Sequence, residues 1–422
     1  MTRWTRRDAA RFAGVACLGL TAPRLTGATA RARVVVIGGG IGGATVARYL
    51  SLADPALSVT LVEPKSFYTT CFFSNLYLAG LRSFESLTHR YDALAHKYGV
   101  AIVADMAVDI DPVAGSVTLK GGRKLGYDRL VVAPGIALNY GAIAGYDEAA
   151  AETLPHAWTA GAQTRLLRKQ LVAMADGGTF IIVAPPDPFR CPPGPYERAA
   201  LVAAYFKREK PKSKILILDA KDSFFEQDLF EDGWNRHYPG MIEWLPAQFT
   251  GGIKAVDVAG RAVKTAGDTY RGAVINVIPP QRAGEFASVA GVVDSTGWCP
   301  VDQNSFESTL HPRIHIVGDA ASAGDMPKSA FATNSQAKVC AFAVAAALNG
   351  SDPPKSRPFN TCFTYLAPDD AVADAISFRH EASGIKIAEI AISPVGESAA
   401  LRAAKVRQSE DWYRAFTRDV FG

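Results

Sequence analysis

An α/β fold with two dinucleotide-binding-like (Rossmann-type) domains and a small α+β C-terminal domain is what this sequence predicts. Three observations predict it. A strand, a glycine turn, a helix, a second strand and an acid follow one another between residues 33 and 63. Apolar strands alternate with helical stretches between 163 and 278. A late strand, 313–317, runs into Gly318-Asp319 and then a long helix. Strands and helices alternating in this way pack as parallel sheets covered by helices.

The chain has 422 residues, room for two or three domains with sizeable cores. Hydrophobic residues make up 48% and charged residues 20%, the balance of a globular protein. The net charge of +4 resides in the N-terminal thirty residues. Setting aside their five arginines and one aspartate leaves 40 basic against 40 acidic residues. A neutral body argues against nucleic acid and anionic membrane surfaces as partners.

Residues 1–30 read as an export signal. Arg6-Arg7 is a paired-arginine start. Phe12 to Ala22 is an apolar run too short to span a bilayer, and Ala28-Thr29-Ala30 has the small-x-small pattern of a cleavage site. The pair suggests twin-arginine export, which carries folded proteins, and hence a periplasmic location where cysteine pairs persist.

The elements follow in order. Arg33 to Ile37 is a β-branched strand that leads into Gly38-Gly39-Gly40-Ile41-Gly42-Gly43 and a helix from Ala44 to Leu50. Val59 to Val62 is the next strand, ending at Glu63, and Leu130 to Ala133 is a third, ending in the Pro134-Gly135 turn. A helix at 163–176, strands at 179–184 and 214–219, and a helix from Pro195 to Lys207 between them form a second unit. Strands at 274–278 and 313–317 and a helix from Ser335 to Leu348 complete the pair. Pro353-Pro354 and Pro358 mark a linker to an α+β tail, 359–422.

The first glycine cluster satisfies G-x-G-x-x-G. Gly38 permits the tight turn, Gly40 lets a pyrophosphate approach the backbone, and Gly43 lets helix and strand pack closely. The anion then sits on a helix N-terminus, where free N–H groups and the dipole favour it. Glu63, 20 residues after Gly43, is the acid suited to a ribose hydroxyl pair.

Ile314 to Ala320, followed by a helix, resembles the late Gly-Asp motif of two-dinucleotide-fold flavoproteins. The resemblance gives Asp319 the ribityl and phosphate region of FAD; a plain helix cap is the alternative. Ala133-Pro134-Gly135 likewise resembles that family's Ala-Thr-Gly turn, with Pro in place of Thr. The implied layout is an FAD-binding domain from 31–145 and 286–355, a nucleotide-fold-like domain at 146–285 and a C-terminal interface domain at 356–422.

The middle domain lacks the glycine motif that a nicotinamide nucleotide needs. After the strand at 179–184 the sequence reads Ala184-Pro-Pro-Asp-Pro-Phe-Arg190-Cys191-Pro-Pro-Gly194. Prolines remove backbone donors and fix φ, so this loop is poorly suited to wrapping a pyrophosphate. NAD(P)H is therefore not the expected reductant, and the loop presents a cysteine instead.

Six cysteines occur, at 17, 71, 191, 299, 340 and 362; Cys17 leaves with the signal. Cys340 on an apolar helix, and Cys299, read as core residues. The segments Tyr68-Thr-Thr-Cys71, Arg190-Cys191-Pro-Pro-Gly194, Ile278-Pro-Pro-Gln-Arg282, Gly297-Trp-Cys299-Pro-Val-Asp302, Met326-Pro-Lys328-Ser329 and Asn360-Thr-Cys362-Phe363 together resemble the flavoprotein subunit of flavocytochrome c sulfide dehydrogenase. The likeness runs from the first glycine motif to Phe421-Gly422, with a doubled threonine where the family has Tyr-Thr-Cys.

The resemblance implies four things. Cys71 holds FAD through a thioether on the flavin 8α carbon; a buried structural cysteine is the alternative. Cys191 and Cys362 form a redox-active disulfide over the flavin, open to attack by hydrosulfide; a purely structural staple is the alternative. A c-type cytochrome subunit takes the electrons, since this chain has no C-x-x-C-H of its own. The substrate is sulfide. Two further readings stay open: a sulfide:quinone oxidoreductase, and a non-catalytic flavoprotein that reactivates a sulfur-oxidising complex.

Glu197, six residues after Cys191 at a helix start, is either a proton acceptor for sulfide or a thiol, or a first-turn charge that complements the helix dipole. Lys328 either faces the flavin pyrimidine edge, where negative charge grows on reduction, or lies on the surface. Trp412, Tyr413, Phe416, Val420 and Phe421 have helical spacing and are expected to pack on the core.

Overall fold

The run Arg33-Val-Val-Val-Ile37 is β-branched and carries no polar alternation, the composition of a strand covered on both faces of a parallel sheet. The computed structural model, which describes residues 31–422, builds it that way. In β1 (Arg33–Ile37), Val34, Val35 and Val36 are between 0% and 3% exposed. The export-signal reading, with Cys17, lies outside the described residues.

From β1 the chain enters α1 (Ile41–Ala53), then β2 (Ser58–Val62), β3 (Ala101–Val103) and β4 (Arg129–Val132). All four strands are parallel, in the order β3-β2-β1-β4. The helix starts three residues before the expected Ala44, because Gly40 itself caps it and two glycines fit inside its first turn.

The same order recurs in the middle of the chain. β5 (Thr179–Ala184), α2 (Gly194–Glu209), β6 (Lys214–Asp219), α3 (Gln227–His237), β7 (Ile242–Leu245) and β8 (Val274–Val277) form a parallel sheet ordered β7-β6-β5-β8. β9 (Ile314–Ile316) returns to the first sheet and pairs in parallel with β4. α4 (Ala330–Asn349) follows and packs along α1. It begins five residues before the expected Ser335, because the Ser329 hydroxyl accepts the Ala332 amide at 3.0 Å.

The tail is a three-stranded antiparallel sheet, β10 (Phe359–Ala367), β11 (Asp370–Glu381) and β12 (Gly384–Ile392), closed by α5 (Ala399–Phe421). Its register places Cys362 opposite Asp374, and Asp374 opposite Ile392. Tyr413, Phe416, Val420 and Phe421 of α5 are buried, as their spacing predicts. No helix among the described residues is long and apolar enough to cross a membrane.

Candidate functional site

Both parallel sheets end on one cavity of about 890 Å³, within the range of sites for cofactors and small molecules. Gly38, at the end of β1, has φ +97°, and a Cβ there would lie 2.4 Å from the Ala133 carbonyl oxygen. A Cβ on Gly43 would lie 1.8 Å from the Gly38 carbonyl oxygen, so only glycine lets α1 close on the turn. Gly40 is different: its Cβ position faces open cavity, with Tyr68 the nearest group at 3.5 Å. Glu63 at the end of β2 accepts the Gly39 amide at 2.7 Å and also lines the cavity.

Asp319, just past β9, points into the same space. Its Oδ2 lies 3.7 Å from Arg190 Nη1, while Oδ1 is buried without a hydrogen-bond partner. Burial raises its pKa, against the lowering effect of Arg190 and Lys328. An orphaned buried acceptor across from a glycine cradle fits a ligand that brings its own hydroxyl donors. The residues present therefore fit a dinucleotide such as FAD.

The cavity brings together three cysteines far apart in sequence. Cys71 follows the short strand Phe67–Thr69, Cys191 precedes α2, and Cys362 lies in β10; all three line the wall. Cys191 is held at φ +61°, a conformation uncommon for a residue with a side chain, its amide bonded to the Lys328 carbonyl at 2.8 Å. All five described cysteines are free thiols, so the implied Cys191–Cys362 disulfide is absent from this structure. Burial pushes both thiols well up, Cys191 further through Glu197 and Cys71, and Cys362 further through Asp374 and Cys191. A disulfide carries no titratable proton and escapes that penalty. Cys299 and Cys340 are fully buried, in keeping with their reading as core.

Glu197 lines the cavity. Its carboxylate accepts from the Tyr365 amide at 3.0 Å and from Asn75 Nδ2 at 2.7 Å, and burial raises its pKa in spite of those donors. Lys328 is not the surface residue of its second reading. Its side chain is half-buried and is not among the cavity walls. The ammonium group donates to the carbonyls of Asp319 at 2.6 Å and Ala321 at 3.3 Å, and lies 3.7 Å from the centre of the Trp298 ring. Those carbonyls and the π face supply all the partners the cation needs, so it turns inward. Burial lowers its pKa to about 8.

In the second nucleotide-like unit, the acid at the end of the second strand is Asp219. It already accepts from Tyr196 at 2.5 Å, Trp244 at 3.0 Å and Lys221 at 2.7 Å. Phe224 stacks on Tyr196 with ring centres 3.6 Å apart.

Sequence reading missed several residues of this site. Arg190, beside Cys191, donates to the Trp158 carbonyl as well as facing Asp319. Arg198 is 2% exposed and donates to Asn75 at 3.0 Å and Asn276 at 2.6 Å. A cation next to the cysteine of a proline-rich loop was the available signal for the first. Asn75 and Asp374 offered none without strand register and helix placement.

An α/β fold with two nucleotide-like sheets, a glycine cradle and a late Gly-Asp turn defines an FAD-binding oxidoreductase. The family model described as pyridine nucleotide-disulphide oxidoreductase matches residues 32–174. The model for the central part of the sulfide dehydrogenase [flavocytochrome c] flavoprotein chain matches 164–279, and the flavocytochrome c sulphide dehydrogenase flavin-binding model matches 354–421. The flavoprotein chain of that enzyme from Chlorobaculum thiosulfatiphilum is 65% identical over 43 residues, 10% of this chain and 90% of that sequence. The chain belongs to the family of flavocytochrome c sulfide dehydrogenase flavoprotein chains.

Mouse mitochondrial sulfide:quinone oxidoreductase is 25% identical over 310 residues, 68% of this chain; the chain thus spans 65% of that relative's length. The solved sulfide:quinone oxidoreductase of Aquifex aeolicus superposes with a TM-score of 0.72 at 20% identity, covering 92% of each chain, a likeness of fold.

Proposed function

We propose that this chain oxidises sulfide through Cys191, Cys362 and FAD, and passes the electrons to a c-type cytochrome. The observation that carries the reading is the convergence of Cys71, Cys191 and Cys362 on the cavity that also holds the Gly38–Gly43 cradle and Asp319.

The cysteine pair acts as a disulfide. Glu197 takes the proton of H₂S, and the resulting HS⁻ attacks one sulfur of the pair. The Cys–Cys bond breaks, a persulfide bond forms on the attacked cysteine, and the other leaves as a thiolate. FAD, when bound, accepts the two electrons that the sulfur centre gives up. Gly38, Gly40, Glu63 and Asp319 would hold its dinucleotide portion, and Cys71 would anchor it covalently, which prevents loss of cofactor outside the cytoplasm. The paired arginines and short apolar run of the first thirty residues support export to the periplasm.

A quinone is the second acceptor to consider, because the mouse relative carries that name. The test is anaerobic reduction of the FAD-loaded protein by sulfide, followed by mixing with either soluble cytochrome c or a short-chain ubiquinone. Turnover with cytochrome c upholds the proposal. Turnover with quinone alone transfers the chain to the second reading, and no sulfide-driven reduction removes both.

A further inference from the structure

The reaction HS⁻ → S⁰ + H⁺ + 2e⁻ leaves a proton inside a buried cavity, and the electrons do not carry it out. Glu197 and Cys191 line the same cavity, and the acid's charge acts on the thiol. The other cysteine has an acid of its own. Cys362 in β10 and Asp374 in β11 are directly opposite across an antiparallel pair, so their side chains share one face of the sheet. Asp374 is 3% exposed. Asn360 joins the two, donating to Asp374 Oδ1 at 3.1 Å with its amide nitrogen 3.8 Å from Cys362 Sγ. Asn360 is itself fixed by a 2.5 Å hydrogen bond to Ser329.

The row continues outward. Asp374 is opposite Ile392 on β12, and Ile392 lines a second, shallower depression together with Ser393, Gln227 and Glu226. Glu226 precedes α3 at φ +63°, left-handed backbone that glycine would occupy without strain. Both of its carboxylate oxygens are buried outside hydrogen-bond distance of any donor, although the Thr364 hydroxyl is near enough to favour the charged form. A strained turn that sequesters an unpartnered carboxylate is costly to keep, which argues for a task.

We infer that Asp374 is the acid–base residue of the Cys362 sulfur, and that Glu226 relays its proton to the second depression, away from the substrate's cavity. The inference rests on the sulfide chemistry proposed above. With the persulfide on Cys362, the Cys191 thiolate bonds to its outer sulfur, the S–H bond there breaks, the two electrons released go to FAD, and the proton passes to the Asp374 carboxylate, then to Glu226 and to solvent. Of the acids, Cys362 lies opposite Asp374 across the β10–β11 pair, and the charges of Asp374 and of Glu197 in α2 both act on Glu226 in the turn before α3. Burial, together with Asp374 and Glu197, raises Glu226 to about 8, and burial raises Asp374 to about 6. Both groups can therefore hold and release a proton near neutral pH.

The test uses the FAD-loaded full chain as wild type, Asp374→Asn, Asp374→Glu and Glu226→Gln. Flavin content and reduction by dithionite are measured first and are expected to be unchanged. Sulfide-driven bleaching of the flavin is then followed from roughly pH 5 to 9. Asp374→Asn is expected to slow bleaching by about a hundredfold and to flatten its pH profile, with Asp374→Glu restoring part of the rate. Glu226→Gln is expected to slow it less, and adding it to Asp374→Asn should cost nothing more, because both lie on one path. Bleaching by Asp374→Asn within about twofold of wild type at every pH overturns the inference.

Iodoacetamide alkylation of Cys362 in thiol-reduced protein needs no sulfide chemistry. Its pH midpoint is expected to fall in Asp374→Asn, where a negative neighbour is removed, and an unmoved midpoint overturns the contact. Wild-type protein that sulfide cannot bleach would sink the proposed function, and the alkylation profile would still decide whether Asp374 governs Cys362.

Discussion

The Glu197 carboxylate accepts a hydrogen bond from the Tyr365 amide at 3.0 Å, and this bond joins the two cysteine-bearing elements. Glu197 lies in the first turn of α2, just after Cys191, and Tyr365 lies three residues beyond Cys362 in β10. Its other oxygen accepts from Asn75, four residues after Cys71. One buried acid thus ties together the three segments whose sulfurs line the cavity.

Glu197→Gln and Glu197→Ala should separate its two duties. Gln keeps an acceptor for the Tyr365 amide and lifts the burial cost that raises the pKa of this acid. Its melting temperature is expected to match or exceed wild type, while sulfide-driven flavin reduction falls by about a hundredfold. Ala removes the acceptor of the Tyr365 amide and leaves Asn75 Nδ2 with only the Gly194 carbonyl, and is expected to lose roughly 1–3 kcal/mol as well as activity. Thermal melts and stopped-flow reduction on the same samples distinguish the two.

Glycines of the cradle should fail in different ways. Gly43→Ala places a methyl 1.8 Å from a backbone oxygen, and is expected to yield little folded protein. Gly40→Ala meets nothing closer than 3.5 Å, and is expected to fold with an unchanged melt in the absence of cofactor. Its methyl group enters the cavity where the pyrophosphate would approach, so FAD content after purification is expected to fall steeply. Absorbance at the flavin band relative to protein measures the loss.

Cys71 should decide how the flavin is held. After acid precipitation the yellow colour is expected to stay with wild-type polypeptide and to map to the Cys71 peptide by mass. In Cys71→Ser it is expected to appear as free FAD in the supernatant. Free FAD from wild type would remove the covalent assignment.

Glu226 should cost stability at alkaline pH. Its folded pKa, about 8, lies above the ordinary carboxylate value of 4.5. Between those values the folded state keeps a proton that the unfolded state has released, so stability falls as pH rises through that window and levels off above it. Glu226→Gln removes the dependence. Its melting temperature is expected to exceed wild type at pH 8, by roughly a few kcal/mol at most in free energy, and to converge with wild type below about pH 4.5. Melts across the pH range, followed by circular dichroism, would reveal a constant offset instead if strain alone were responsible.

The fold was legible because its signals are local. A β-branched run with no polar alternation can only be a strand covered on both faces, and glycines at 38, 40 and 43 mark a turn that other residues cannot make. Glu63 was readable because it follows the end of β2 directly, and Asp319 through the likeness of its Gly-Asp turn to that of two-dinucleotide-fold flavoproteins. The helix starts at Ile41 and Ala330 were misplaced by three and five residues, since caps depend on which side chain reaches which amide.

The pair of nucleotide-like units and the residue types of the glycine cradle are local properties, because propensity and turn chemistry act between near neighbours. Which distant groups meet depends on how the elements pack. Strand register set Asp374 against Cys362, and the loop before α2 carried Arg190 to Asp319. The pull of two carbonyls and an indole ring fixed where the Lys328 ammonium lies. Those contacts depend on the packing of one sheet against another, and burial then sets the charge states that their chemistry needs.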